Sequence, residues 1–203
     1  MIPKKIHQIH LGDKEMSSQM LEWRHTWKKH NPDYEFILWN DEKINKLELI
    51  RHDMIKYCNN FSETSDLLRF EILYKFGGLY IDTDFECLKP INPLIENKTF
   101  VVFREKERHV CGAFLASSPQ NKYIKMLLDN LDARKNIVNS AVKWGPVYLD
   151  MMLSKDENAS ELINEKTKTV YPYQYDEKHR ANEDFSKDPE VYAVHRWHGS
   201  WTT

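Results

Sequence analysis

The sequence predicts an α/β fold with a layered sheet, and three observations carry this prediction. Short apolar runs alternate with segments of helical periodicity from the N-terminus onward. The 203 residues, 41% hydrophobic and 30% charged, have the size and composition of one ordinary globular domain. A glycine pair, Gly77-Gly78, separates a long apolar helix from a short apolar strand.

The first forty residues contain two strands, each followed by a helix. Residues 2–11 form the first predicted strand. The helix after it starts at Ser17 or Ser18, whose hydroxyls can cap free backbone amides, and stops before Pro32. Residues 34–39 are a second apolar strand, and the Asn-Asp pair that follows predicts another helix start.

The central and C-terminal parts continue the same alternation. A buried helix is predicted over residues 62–76 and a strand over 79–81. Later strands are predicted at residues 100–103, 110–116 and 190–198, and residues 169–172 are predicted to be a short strand or an extended segment. Further helices are predicted from Pro119 to about residue 132 and over residues 147–153, because proline favours the first turn of a helix.

Charge and cysteine content exclude several classes of protein. The net charge of −2 gives no electrostatic footprint for nucleic acid. Three cysteines without CxxC spacing predict reduced thiols and a cytoplasmic protein. No apolar run approaches the roughly 18 residues of a membrane span. Lys4, Lys5 and the basic residues of 104–108 leave peripheral contact with the inner face of a membrane open, although a solvated face is the favoured interpretation.

Two aspartates follow the strand at 79–81, in the pattern Asp82-Thr83-Asp84. Alternation along an extended segment sends both carboxylates to one side, and the end of a strand places them at the edge of the sheet. Close carboxylates repel each other, and a hard divalent cation is the usual reason to keep them together. The pattern is common in solvated turns, but its position after an apolar strand favours Mg²⁺ or Mn²⁺ bridging a diphosphate.

Two other polar pairs are candidates for the same site. Asp66 and Arg69 lie three residues apart on one face of the preceding helix. That helix is apolar nearly all round, and a buried helix seldom carries a charged pair without a task, although a simple intrahelical ion pair stays open. His195 and His198 lie near the C-terminus, before a Gly-Ser-Trp run.

Residues 65–84 resemble the DxD sugar-binding region of glycosyltransferase family 32, which includes capsular-polysaccharide glycosyltransferases and yeast outer-chain mannosyltransferases. The glucosylating bacterial toxins carry a related helix, strand and DxD block. Residues 2–9, 31–35, 38–39, 144–146 and 194–201 resemble further motifs of the family. The resemblance therefore spans almost the whole chain.

The resemblance implies a single catalytic domain over residues 1–203 with the GT-A fold, a Rossmann-like nucleotide-sugar-binding fold whose mostly parallel sheet is flanked by helices. It implies a retaining glycosyltransferase of the hexosyltransferase class that needs Mn²⁺ or Mg²⁺ and uses a UDP- or GDP-sugar. The implied acceptor is a hydroxyl of a glycan or lipid-linked sugar, as in the synthesis of capsule or other surface polysaccharides. No nucleic acid partner is expected, and the oligomeric state stays open.

The resemblance also assigns roles by motif position. The implied catalytic residues are Asp82, Asp84 and Arg69. The implied donor-binding residues are His7, Gln8 and Ile9 around the nucleoside, Asp66, Arg69 and Asp82 around the sugar or ribose, and Trp201 beside the leaving nucleotide. The implied metal ligands are Asp84, His195 and Asp82, with His198 and Ser200 as alternatives. The family motif has two adjacent histidines where this chain has His195 and Arg196, and His195 keeps the matching position.

Two alternative functions remain. A DxD phosphohydrolase of the haloacid-dehalogenase type also has two aspartates after an apolar strand, but it expects Thr or Val where this chain has Glu86. A non-enzymatic carbohydrate-binding protein fits the 6 Trp and 10 Tyr residues. Such a protein has no need of a charged pair on a buried helix beside two aspartates.

Overall fold

The computed structural model describes residues 1–105, 109–156, 158 and 163–198. Its strands are β1 Lys5–Ile9, β2 Glu35–Trp39, β3 Gly78–Ile81, β4 Phe85–Cys87, β5 Phe100–Arg104, β6 Val110–Ser117, β7 Ile163–Asn164 and β8 Ala193–His195. Its α-helices are α1 Ser18–His30, α2 Asp41–Asn45, α3 Phe61–Phe76, α4 Asn92–Ile95, α5 Lys122–Asp129, α6 Ser140–Lys143 and α7 Pro146–Ser154. Short three-ten helices lie at His52–Tyr57, Leu131–Arg134, Thr167–Thr169 and Tyr175–Arg180.

Six strands form the central sheet, in the order β2-β1-β3-β6-β5-β7. The pairs β1–β2, β1–β3 and β5–β7 are parallel, and β3–β6 and β5–β6 are antiparallel. The prediction of a mostly parallel sheet flanked by helices is therefore confirmed. A separate two-stranded sheet joins β4 and β8 in antiparallel fashion.

The helix ends follow their local signals closely. The Ser17 side chain caps α1 by accepting the Met20 amide, and Asn60 caps α3 by accepting the Glu63 amide. Gly77 ends α3 with a φ of 61°, in the left-handed region that favours glycine. Because Gly77 turns the chain there, β3 begins at the next residue.

Three predicted elements differ from the structure. The helix predicted from Pro119 begins only at Lys122, because Asn121 supplies the cap by accepting the Tyr123 amide. Residues 169–172 form no strand, because the three-ten helix Thr167–Thr169 includes the first of them and the chain is irregular after it. The strand predicted over residues 190–198 is limited to Ala193–His195, because its partner β4 has only three residues to pair with.

The sheet has an apolar core on each face. On one face, α3, α5 and α7 pack over residues that include Tyr80 and Leu115. On the other face, α1, α4 and β4 pack over residues that include Ile6 and Ile81. Side chains alternate between the two faces along a strand, so neighbouring residues near a strand end meet different helices. No helix among the described residues is long and apolar enough to cross a membrane.

Candidate functional site

Five of the polar residues singled out in the sequence meet where β1 and β3 end: Asp66, Arg69, Asp82, Asp84 and His195. These two strands are parallel neighbours, so their C-terminal ends lie side by side. The chain leaves β3 at Ile81 and turns through Asp82 and Asp84 before β4 begins. The Asp82 amide donates to the Ala113 carbonyl on β6 at 3.0 Å, which fixes the start of the turn. The two carboxylates therefore stand at the carboxyl edge of the sheet, where open α/β sheets bind ligands.

Asp82, Asp84 and His195 form a compact cluster at this edge. Each offers one ligand atom, and these atoms lie within 4.8 Å of one another. His195 Nε2 lies 3.0 Å from Asp84 Oδ1 and 3.9 Å from Asp82 Oδ2. His195 reaches this position because β8 pairs with β4 and places it opposite Phe85, the first residue after the turn.

In this cluster, Asp84 and His195 each favour the charged form of the other. Burial lowers the pKa of His195, but the carboxylates of Asp84, Asp82 and Glu105 together raise it more, so the imidazole has a raised pKa. Burial in turn raises the pKa of Asp84, and His195 together with the His198 amide lowers it below its ordinary value. The ion pair between Asp84 and His195 is thus favoured in the absence of a ligand.

Both ring nitrogens of His195 lack a hydrogen-bond partner of suitable geometry among the described residues, although its side chain is only 6% exposed. A buried polar atom without a partner is costly and calls for an explanation such as an ion. Imidazole nitrogen and carboxylate oxygen together are donors that suit Mn²⁺, and the carboxylates also suit Mg²⁺. The residues of the Asp82–Asp84–His195 cluster therefore fit a divalent cation.

Of the other predicted C-terminal residues, His198 contacts this cluster through its backbone amide, while its ring packs elsewhere. The backbone amide of His198 donates to Asp84 Oδ2 at 2.9 Å. Its ring makes an edge contact with Trp23 on α1, with 5.7 Å between ring centroids. Ser200 and Trp201 lie outside the described residues.

Asp66 and Arg69 form the wall of the site on the α3 side. Arg69 lies 2.9 Å from Asp66 Oδ1 and 3.4 Å from Asp82 Oδ1, both measured from its NH2 atom. Its guanidinium lies over the ring of Tyr80, and the Tyr80 hydroxyl donates to Asp82 Oδ1 at 2.7 Å. Arg69 therefore links α3 directly to the DxD turn, and it also forms the intrahelical ion pair with Asp66 that the spacing left open.

Asp66 and Arg69 are both buried, and burial together with neighbouring charges shifts the pKa of each. Burial raises the pKa of Asp66 to about 6, against the opposing effect of Arg69. Burial would lower the pKa of Arg69, but Tyr80, Asp66 and Asp82 raise it overall, so the guanidinium stays charged. A fixed cation between two carboxylates can orient hydroxyl groups of a bound ligand, because both donors and acceptors are held in place.

The three residues predicted around the nucleoside lie on different faces of β1. His7 is fully buried, and its Nδ1 accepts the Trp39 indole N–H while its Nε2 lies 2.8 Å from the Gly77 carbonyl. Because an indole only donates, Nδ1 is unprotonated and Nε2 carries the hydrogen. Ile9 packs in the core beneath α3. Gln8 points to the other face, where its side-chain oxygen accepts from Arg24.

Arg196, which stands where the family has a second histidine, does not join the cluster. Its Nε donates to Glu86 Oε2 at 2.9 Å, and its NH1 donates to the carbonyls of Ala181 and Glu183. The residue therefore anchors the loop before β8 to β4. This pairing gives Arg196 a structural partner in Glu86, and it leaves His195 as the histidine beside the aspartates.

Three further residues of the site were not singled out from the sequence. Tyr80 looked like one more core aromatic, and nothing in the pattern pointed to its hydroxyl. Gly112 lies on β6, where a Cβ atom would be 2.6 Å from NH1 of Arg69. A glycine inside a strand often marks such a close approach, so this signal was available. Glu105 is buried at the end of β5, and its charge helps to raise the pKa of His195.

The chain resembles known proteins in both sequence and fold. Residues 17–101 match the family described as "Glycosyltransferase sugar-binding region containing DXD motif". The chain is 28% identical to inositol phosphoceramide mannosyltransferase 1 of Schizosaccharomyces pombe, over 64% of this chain and 43% of that protein. It is 32% identical to mannosyl phosphorylinositol ceramide synthase SUR1 of Saccharomyces cerevisiae, over 75% of this chain and 39% of that protein. The chain thus spans less than half the length of these relatives.

Two solved glycosyltransferase structures have folds similar to that of this chain. The PaToxG glycosyltransferase superposes with a TM-score of 0.62 at 22% identity, covering 79% of this chain and 73% of that one. The UDP-bound glycosyltransferase domain of the YGT toxin superposes with a TM-score of 0.60 at 11% identity, covering 81% and 79%. These likenesses confirm the predicted GT-A fold.

Proposed function

This chain belongs to the glycosyltransferases with a DXD sugar-binding region, as its resemblance to family 32 predicted, and we propose that it transfers a sugar from a nucleoside diphosphate sugar to an acceptor hydroxyl with retention at the anomeric carbon. The observation that carries this proposal is the Asp82–Asp84–His195 cluster with the Asp66–Arg69 pair beside it. A cation site matches the diphosphate of such a donor, and the polar Asp66–Arg69 pair beside it matches the sugar.

Each residue has a role in this proposal. Asp84, Asp82 and His195 hold a divalent cation, with Mn²⁺ favoured by the imidazole ligand. When bound, the cation offsets negative charge that builds on a departing diphosphate. Arg69 and Asp66 hold hydroxyls of the donor sugar, and Tyr80 orients Asp82 through its hydroxyl. The carboxylates nearby also favour the positive charge that develops on the sugar ring.

We assign no protein nucleophile to the reaction. The acceptor hydroxyl attacks the anomeric carbon from the face that the diphosphate leaves, and the departing phosphate oxygen takes up the hydroxyl proton. The bond to the acceptor oxygen forms as the bond to the phosphate oxygen breaks. Mass spectrometry after rapid quenching should find unmodified protein; a glycosyl group trapped on an Asp or Glu side chain would overturn this route.

The acceptor and the cellular compartment are also part of what we propose. We propose one catalytic domain that acts in the cytoplasm, where its three free cysteines stay reduced; peripheral contact with the inner face of a membrane is the alternative to a solvated basic face. The acceptor is a glycan or lipid-linked sugar, as in capsule or other surface polysaccharide synthesis. The names of these relatives, a mannosyltransferase and a mannosyl phosphorylinositol ceramide synthase, favour mannose among the donor sugars to be tested.

Release of UDP or GDP from a panel of nucleotide sugars, with and without Mn²⁺, tests the proposal. We expect Mn²⁺-dependent release for at least one donor. Asp84→Asn should reduce that release by about 1000-fold or more, because the cation loses a charged ligand. The matched control is Asp129→Asn, an exposed aspartate on α5, which should retain wild-type activity.

The two alternative functions give different results in this assay. A phosphohydrolase would release inorganic phosphate from simple esters, and a carbohydrate-binding protein would release nothing from any donor. Full activity of Asp84→Asn, with the protein folded, would refute the assignment of the site.

A further inference from the structure

Arg24 on α1 and Gln8 on β1 form a polar pair on the side of the site away from α3. The Arg24 guanidinium donates through NH1 to the side-chain oxygen of Gln8. On β1, His7 pairs with Tyr80 of β3. Gln8 is the next residue along β1, so it lies beside the end of β3. Trp23, the residue before Arg24, contacts the ring of His198. The pair therefore flanks the turn that carries Asp82 and Asp84.

The hydrogen-bonding capacity of this pair is not used up within the described part of the chain. Gln8 is 1% exposed, and its side-chain Nε2 has no hydrogen-bond partner there. Arg24 is half-buried, and none of the ion pairs formed by the described residues includes it. A glutamine amide and a guanidinium together offer several N–H donors, and each needs an acceptor once water is excluded.

The contrast with Arg69 indicates which kind of ligand the pair fits. Arg69 is compensated by two carboxylates, Asp66 and Asp82, within 3.4 Å. Burial lowers the pKa of Arg24, and no neighbouring acid counteracts this effect. An uncompensated guanidinium beside an unpartnered amide favours an anion with several acceptor oxygens, since arginine binds such groups in bidentate fashion.

We propose that Arg24 and Gln8 form a phosphate-binding subsite for the diphosphate of the sugar donor. The inference rests on the proposed function, because it takes a nucleoside diphosphate as the ligand. The diphosphate brings negative charge next to Asp82 and Asp84, and Arg24 supplies a cation from the α1 side that no carboxylate of the site already neutralises. Arg69 thus contacts the sugar of the donor on the α3 side of the site, and Arg24 contacts its phosphates on the α1 side.

Calorimetric titration with ligands of increasing phosphate number tests the subsite. Uridine, UMP and UDP, and the guanosine series in parallel, are titrated into wild type, Arg24→Met and Lys28→Met in the presence of Mn²⁺. Lys28 is exposed on the same helix, so its variant has the same change in net charge. We expect Arg24→Met to weaken nucleoside diphosphate binding about 10- to 100-fold and nucleoside binding less than about 2-fold. Lys28→Met should match wild type throughout.

The outcomes separate this inference from the proposed function. Equal loss for nucleoside and diphosphate in Arg24→Met would place the pair at the base instead and overturn the subsite. Unchanged diphosphate binding would overturn it as well. Wild type that binds neither diphosphate would refute the proposed function itself. If Arg24→Met does not fold, Arg24→Lys keeps the charge without the bidentate fork, and we expect an intermediate diphosphate affinity.

Discussion

Two buried groups of charged residues in this chain differ in whether the protein itself completes them. The first is the Glu63–Lys143 pair, which joins the start of α3 to the end of α6 at 2.8 Å with both side chains 1% exposed. The carboxylate of Glu63 also accepts from the Asn59 amide and the Ser140 hydroxyl. Lys143 donates in addition to the Tyr57 carbonyl. Every charge in this pair has partners.

The second group is the Asp82–Asp84–His195 cluster. It places two carboxylates beside one imidazole whose nitrogens have no well-formed hydrogen bond among the described residues. Burial alone therefore does not mark a functional group, since the Glu63–Lys143 pair is buried more deeply. What distinguishes the cluster is unused hydrogen-bonding capacity at an edge of the sheet, and such capacity is what a ligand or ion can satisfy.

Lys143→Met provides the largest expected change in stability. It leaves the Glu63 carboxylate buried without its cation, which should lower the free energy of unfolding by about 3–5 kcal/mol. For a chain of this size, the melting temperature should then fall by about 10 °C. Calorimetry of the purified variant measures both quantities.

Asp84→Asn is the counterpart of that variant. It removes one of two neighbouring carboxylates and also the ion pair with His195, so the melting temperature should fall less than in Lys143→Met while sugar transfer is lost. A double variant, Glu63→Gln with Lys143→Met, should recover part of the lost stability because no unpaired charge remains. If Asp84→Asn destabilises the protein as much as Lys143→Met, the distinction between the two groups is wrong.

Gly112→Ala changes the geometry of the site without removing any of its polar groups. The new methyl group would lie 2.6 Å from Arg69 NH1, so the guanidinium has to leave its position between Asp66 and Asp82. A displacement of about 1 Å at such a group can lower kcat/KM about 100-fold. Steady-state kinetics of donor turnover measure the loss.

A double-mutant cycle shows whether Gly112 acts through Arg69. In an Arg69→Ala background the methyl group has nothing to displace, so Gly112→Ala should then have little further effect. Additive losses in the double variant would contradict the role we give to Gly112, which is to leave room for Arg69.

Features set by neighbouring residues were predictable from the sequence, and features set by distant pairing were not. The cap at Ser17 and the stop at Gly77 are local, and both match the structure. The length of β8 depends on β4, which lies far away in the chain, so the prediction of a longer strand was wrong. The prediction of a helix start at Pro119 was wrong because Asn121, two residues later, is the residue that caps α5.

The same distinction between local signals and distant contacts applies to the functional site. The spacing of Asp66 and Arg69 placed both residues on one face of α3 and left a simple intrahelical ion pair open, and the family resemblance implied that they meet the DxD aspartates, as they do. The faces of β1 were not predictable in this way, since His7 and Gln8 alternate and nothing local says which one meets the crevice. Gln8 alone has an unused donor there, whereas His7 is occupied by Trp39 and Gly77.

His7 provides a third buried polar group, which is complete in its neutral form, and its titration is the smallest effect we predict. Burial lowers the pKa of His7 to about 4 from 6.5. Between these two values the unfolded chain takes up a proton that the folded protein excludes, so stability present above pH 6.5 is lost as the pH falls towards 4. From pH 7 to pH 5 the loss from this residue should be about 2 kcal/mol.

Urea unfolding of wild type and His7→Gln at both pH values isolates this contribution, because glutamine keeps an acceptor and a donor but does not titrate. The drop in the free energy of unfolding between pH 7 and pH 5 should be smaller in His7→Gln by about 2 kcal/mol. His25→Gln, at an exposed position on α1, controls for the loss of an imidazole and should keep the wild-type drop. An equal drop in His7→Gln and wild type would mean that His7 can be protonated where it lies. The hydrogen bond that its Nδ1 accepts from Trp39 would then not hold the ring neutral, and His7 would be free to serve a ligand after all.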